Sequence, residues 1–228
     1  IPILPLNFKI HLQCTLIHLF LMLLEKLMNN YFSKEYKDTL EIYKKLHLNG
    51  TDLESAENTF DGKSLKFFFQ PIKQVIDLTK SKSVIDFGCG KAKYYFEEIF
   101  INKNYYSNIT NYWNINDVCL YDPGVKNFSK YPTRKSDGVI CIDVVEHIPE
   151  GDVIIFIEEL FKLANKFVFI VIACYPAIKT FPDGRNVHLC LKSANEWKMI
   201  IKDIRTKFSN ISPYVICAIE RKKFVAVS

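Results

Sequence analysis

The seven residues 167–173, FVFIVIA, are apolar with no polar alternate, the pattern of a β-strand covered on both faces. Such a strand needs a layer on either side of it. Shorter apolar runs end at Ile85, Tyr121 and Ile142, and segments of helical periodicity lie between them. This alternation predicts an α/β fold, with a doubly wound, mostly parallel sheet between two helical layers. Strands are expected around Val84-Ile85 and at 118–121, 138–142 and 167–173. Two further runs, 214–220 and 224–227, flank the tight turn Arg221-Lys222-Lys223 and predict a C-terminal antiparallel hairpin.

Helices are predicted over 34–48, stopped by Asn49-Gly50, and over 71–78, opened by Pro71. A third, 91–101, would bury Tyr95, Phe96, Ile99 and Phe100. A fourth runs to Ala164 from Asp152, which can cap it, and a fifth spans 195–208. Segments 51–65, 103–116 and 174–191 read as loops, and 126–135 as a basic, solvated one.

A chain of 228 residues with 49% hydrophobic content fills one core and buries roughly 70% of its unfolded surface. The domain is expected to cover 28–228, with a helical cap at 28–80. Residues 1–27 hold an apolar segment broken by His11, Gln13 and His18, short of the ~20 residues that span a bilayer. They are read as a non-native or accessory extension ahead of Met28, so no stable membrane insertion is expected. The net charge of +5 comes from scattered lysines, which argues against a nucleic-acid stripe. Seven cysteines without zinc-ligand spacing read as free thiols of a reducing cytoplasm, and no metal site is expected.

Chemistry is concentrated after the first strand. Asp86, Gly88, Cys89, Gly90 and Lys91 form a glycine turn that lets the backbone approach a ligand without Cβ interference. A dinucleotide fingerprint would require glycine at 93, where Lys93 stands. Asp122-Pro123, at the end of the second strand, offers a carboxylate to a ribose diol. Asp143-Val144, then Glu146 and His147, follow the third.

The ordered set Asp86-x-Gly88-x-Gly90-x-Ala92, Asp122 and Asp143-Val144-Val145-Glu146-His147-Ile148-Pro149 resembles class I S-adenosylmethionine-dependent methyltransferases. Ala92 stands where that family usually carries glycine. Phe60-x-Gly62-x-Ser64-Leu65, Cys174-Tyr175-Pro176-Ala177 and Pro182-x-Gly184-x-Asn186-x-His188 extend the likeness to a bacterial and phage-type subgroup. The resemblance implies a seven-stranded, Rossmann-like methyltransferase fold and S-adenosyl-L-methionine as cofactor. It implies cofactor contacts from Asp86, Gly88, Cys89, Gly90, Lys91, Asp122, Pro123, Asp143 and Val144. The adenine-N6 tetrapeptide Asn/Asp-Pro-Pro-aromatic is absent, so the acceptor is expected to be a small molecule or sugar-like rather than nucleic acid. Catalytic candidates are His188, His147 and Asp143; Tyr175, Arg185 and Asn186 are candidates for binding substrate. A non-catalytic domain binding S-adenosylmethionine or S-adenosylhomocysteine is the alternative.

Overall fold

The computed structural model describes residues 31–227, so the expectations for 1–27 and the start at Met28 fall outside it. Helix α1 (Lys34–Asn49) is capped by Ser33, whose side chain accepts from the Tyr36 amide, and it stops at Gly50. Helix α2 (Phe69–Thr79) begins two residues before Pro71, which takes a first-turn position where its missing N–H has no helical partner to lose. Then come β1 (Ser83–Phe87), β2 (Ile99–Ile101), β3 (Asn104–Tyr106), α3 (Ile109–Trp113) and β4 (Asp117–Tyr121). The chain continues through β5 (Ser136–Ile142), α4 (Val153–Leu163), β6 (Ala164–Ala173), α5 (Ala194–Lys207), β7 (Ser212–Glu220) and β8 (Lys223–Ala226).

The main sheet has six strands among the described residues, in the order β4-β1-β5-β6-β7-β8, where seven were expected. All neighbours are parallel except the C-terminal pair β7-β8. Alternate residues of β6 enter different cores. Phe167, Phe169 and Val171 pack with α2 and α3, whereas Val168, Ile170 and Ile172 pack with α4 and α5. The unbroken apolar run therefore reflects a strand buried on both sides. Among the described residues, no helix is long and apolar enough to cross a membrane. The six described cysteines are all free thiols.

Segment 91–101 is not a helix. Ala92 takes a left-handed conformation (φ 54°), only the short 3₁₀ turn Lys93–Tyr95 follows, and Ile99–Ile101 pairs with Asn104–Tyr106 as a separate hairpin. Asn102 and Lys103 both have positive φ, at 51° and 66°, as a two-residue hairpin turn of type I′ requires. The expected loop 103–116 accordingly contains β3 and α3. Trp113 anchors it, fully buried, with its indole N–H donating to the Phe69 carbonyl at 3.0 Å.

Asp152 occupies the N-cap position of α4 but makes no side-chain cap. Its carboxylate instead accepts from the Ser33 amide (2.8 Å) and the Ser33 hydroxyl (2.6 Å), fastening the start of α1 to the start of α4. In β5, Gly138 faces the Phe167 ring so closely that a Cβ would overlap it. A Gly138→Ala variant is expected to lose about 1–3 kcal/mol to overpacking, read as a lower denaturation midpoint at unchanged slope. An unchanged midpoint would show that the ring can step aside.

Candidate functional site

Sheet order reverses between β1 and β5, because β4 lies on one side of β1 and β5 to β7 on the other. Ligands in open α/β sheets bind beyond the strands' carboxyl ends at such a point. Here those ends surround a cavity of about 570 Å³. Its wall includes Asp86 near the end of β1 and Gly88, Cys89 and Gly90 after it, Asp122 and Pro123 after β4, Asp143, Val144 and His147 after β5, and Tyr175 and His188 after β6. Most of the residues singled out in the sequence are thus brought to one place.

The glycine turn is built from backbone bonds. The Gly88 and Cys89 amides both donate to the Tyr121 carbonyl, at 2.7 and 3.1 Å. The Gly90 amide donates to one carboxylate oxygen of Asp122 and the Gly124 amide to the other, each at 2.8 Å. Asp122 therefore ties the turn after β1 to the turn after β4. Gly88 (φ 89°) and Gly90 (φ 57°) lie in the left-handed region, and a Cβ on Gly90 would strike the Phe60 carbonyl. Next along, the amides of Lys91, Ala92 and Lys93 donate to the carbonyls of Phe60, Cys89 and Asp61. All six amides from 88 to 93 are engaged within the protein. Ala92 takes a left-handed conformation (φ 54°), which an L side chain adopts at a cost of about 1–2 kcal/mol.

Three expected contacts do not reach the cavity wall. Lys91 directs its ammonium away, donating to the Ala56 and Thr59 carbonyls at 2.5 Å each, and so braces the 51–62 loop. Arg185 pairs with Asp183 at 2.9 Å and lies 3.7 Å from Glu35. Asn186 clasps its own loop: its carbonyl oxygen accepts from the Ala177 and His188 amides, and its amide group donates to the Ala177 carbonyl. Asn186 thereby positions the His188 backbone, and neither Asn186 nor Arg185 lines the cavity.

Six carboxyl groups line the cavity: Glu54, Asp61, Asp86, Asp122, Asp143 and Glu146. Of its lysines and arginine, Lys63 and Lys179 are both paired with Glu54, at 2.8 and 2.7 Å, which leaves Arg221. Burial pushes Asp86 up to about 7, against the Tyr95 hydroxyl that donates to it at 2.9 Å. Asp143 is raised by burial too, opposed by the Ser64 hydroxyl and by His188. Glu146, fully buried, is held well above the usual carboxyl range. Cationic ligands favour the ionised forms of all three.

At the far end, His147 and His188 meet edge to face with ring centroids 4.9 Å apart. His147 Nδ1 lies 2.8 Å from the Val187 carbonyl and 2.5 Å from the Tyr43 hydroxyl, which itself donates to Val187 at 3.2 Å. One arrangement satisfies this triangle: Nδ1–H donates to the carbonyl and Nε2 is unprotonated. His188 Nδ1 sits 2.6 Å from the Tyr175 carbonyl and takes the same tautomer. Burial drives His147 down to about 3 and lowers His188 as well.

Tyr36, Leu40, Tyr43 and His47, on one face of α1, close the cavity from above, and Phe60 lies beneath them. His47 Nε2 is 3.7 Å from Asp122. The sequence predicts this helix over 34–48 without assigning it to the site; the available signal was the polar tip repeated at 36, 43 and 47. No protein-family model, curated protein or solved structure matches the chain.

Proposed function

We propose that this chain is a methyltransferase: it binds S-adenosyl-L-methionine at the glycine turn and delivers the methyl group to a small-molecule or sugar-like acceptor. The proposal includes a doubly wound, Rossmann-like methyltransferase fold. One observation carries the reading. The cavity is rich in carboxyl groups and its glycine turn has no free amide, so it suits a cationic ligand and not a pyrophosphate. A nicotinamide dinucleotide would need those amides.

S-adenosyl-L-methionine fits on charge, with a sulfonium and an ammonium, and when bound supplies a methyl group activated by positive sulfur. In this reading Asp86 accepts from the ammonium. Each oxygen of Asp122 accepts one amide and has a further lone pair for a ribose hydroxyl. Gly88 and Gly90 let the ligand lie against the backbone. Tyr43, His147, Tyr175 and His188 wall the opposite end, where an acceptor would be aligned and water excluded. Alignment of this kind is worth about 7–11 kcal/mol.

The test is a metabolite extract incubated with methyl-labelled cofactor and the chain. Label appearing in a small product supports the proposal. Cofactor binding with no label in any fraction would favour the alternative, a non-catalytic domain that binds S-adenosylmethionine or S-adenosylhomocysteine.

A further inference from the structure

In the wall of the same cavity, three side chains from two loops converge. Glu146 and His147 are adjacent on the 3₁₀ turn after β5, and His188 lies in the loop after β6. One nitrogen or oxygen of each lies within 4.8 Å of the others. Donors around a tetrahedral ion at 2.0–2.1 Å stand roughly 3.4 Å apart, so small side-chain rotations bring these three onto one centre.

Both imidazoles are prepared in the same way. Nδ1 of each is held on a backbone carbonyl, Val187 for His147 and Tyr175 for His188. Carbonyl bonds of this kind fix ring orientation and tautomer in metal-binding histidines, and they leave the Nε2 lone pair for the ion. Glu146 supplies a separate argument. It is 0% exposed; one carboxyl oxygen accepts from the Ala173 amide at 3.1 Å, and the other has no hydrogen-bond partner. Buried polar atoms without a partner are rare and carry a desolvation penalty, which a cation would offset.

We propose that Glu146, His147 and His188 bind one divalent transition-metal cation. Two imidazoles and a carboxylate suit zinc, iron(II), cobalt(II) or manganese(II). Three protein ligands would leave at least one coordination position of the ion open, which suits an oxygen donor such as water or a hydroxyl group of an acceptor. Where the methyl-transfer reading also holds, the ion narrows the acceptor to a hydroxyl-bearing molecule, with the imidazoles acting as ligands.

The test uses the tag-free full chain, stripped with a chelator and titrated with cobalt(II). Visible d–d absorption and equilibrium dialysis are the readouts, and zinc serves as competitor. One cobalt per chain is expected, displaced by zinc, with affinity lowered at least about tenfold in His188→Ala and in Glu146→Gln. Metal should also raise the thermal midpoint of the parent and not of the variants. His188 sits on a half-buried loop residue, so its variant keeps the test readable if Glu146→Gln fails to fold. A parent chain that takes up neither cobalt nor zinc overturns the proposal, as does His188→Ala binding like the parent. No readout involves the methyl donor, so failure here is distinct from failure of the methyl-transfer reading.

Discussion

Asp122→Ala is expected to lower folding stability by about 3 kcal/mol and to abolish measurable binding of S-adenosylmethionine. The side chain accepts from two backbone amides, those of Gly90 and Gly124, and a hydrogen bond to a charged group is worth about 1.5–3 kcal/mol. Removing it releases the glycine turn from the turn after β4 as well as deleting the proposed ribose acceptor. Loss of binding in the alanine variant therefore does not isolate the ribose contact. Asp122→Asn separates the two roles, since a neutral oxygen of the same size still accepts from one amide. Its stability should fall by less, while cofactor affinity drops about tenfold or more. Parent-like denaturation of Asp122→Ala would show that the two turns are held by other bonds.

Asp86→Asn should move stability and binding in opposite directions. The folded carboxyl titrates near 7, against about 3.9 for an unfolded aspartate. Between those values the folded chain holds a proton that the unfolded chain has lost. Stability contributed by this group is therefore fully present below about pH 4, declines as pH rises, and is absent above about pH 7. The groups that set this balance are Tyr95, which donates to Asp86, and Asp122, whose negative charge opposes ionisation. An asparagine is not subject to the penalty and still accepts from Tyr95. The variant should match the parent near pH 4 and exceed it at pH 8 by up to about 4 kcal/mol. A ligand ammonium, by contrast, favours the carboxylate. Cofactor affinity in the parent should rise from pH 6 to pH 8, with a proton released on binding at the lower pH, and should fall at least tenfold in the variant. Identical pH–stability curves for the two proteins would place Asp86 in an ordinary titration range. A variant that binds as tightly as the parent would remove the ammonium assignment.

How much of this was legible beforehand follows from where each signal lies along the chain. The strand of 167–173 was plain because burial on both faces leaves no polar residue to confuse its period. The β2-β3 hairpin was not, since Ile99, Phe100 and Ile101 fit a helical face as well as a strand. Its turn, Asn102-Lys103, also lacks the glycine that usually marks such a reversal. Asp122 was read as a ribose acceptor, but its structural role was hidden: its amide partners come from 32 residues upstream and two residues downstream, and the first is brought close by the parallel pairing of β1 and β4. Lys91 and Arg185 carry charges suited to a ligand; backbone carbonyls and a neighbouring aspartate claim them instead. Glu146 and His147 were read together, yet the way His188 meets them depends on Asn186 clasping its loop. Periodicity reports which face of an element is buried. It is silent on how two loops meet across a cavity.

The proposed ligand of the cavity at the glycine turn is a sulfonium nucleoside. Titration calorimetry of the chain with S-adenosylmethionine, S-adenosylhomocysteine and NAD, each alone, tests it most directly. One site per chain is expected for both sulfur compounds, the same site by competition, and no heat of binding with NAD. Saturable binding of NAD with none of either sulfur compound would contradict it.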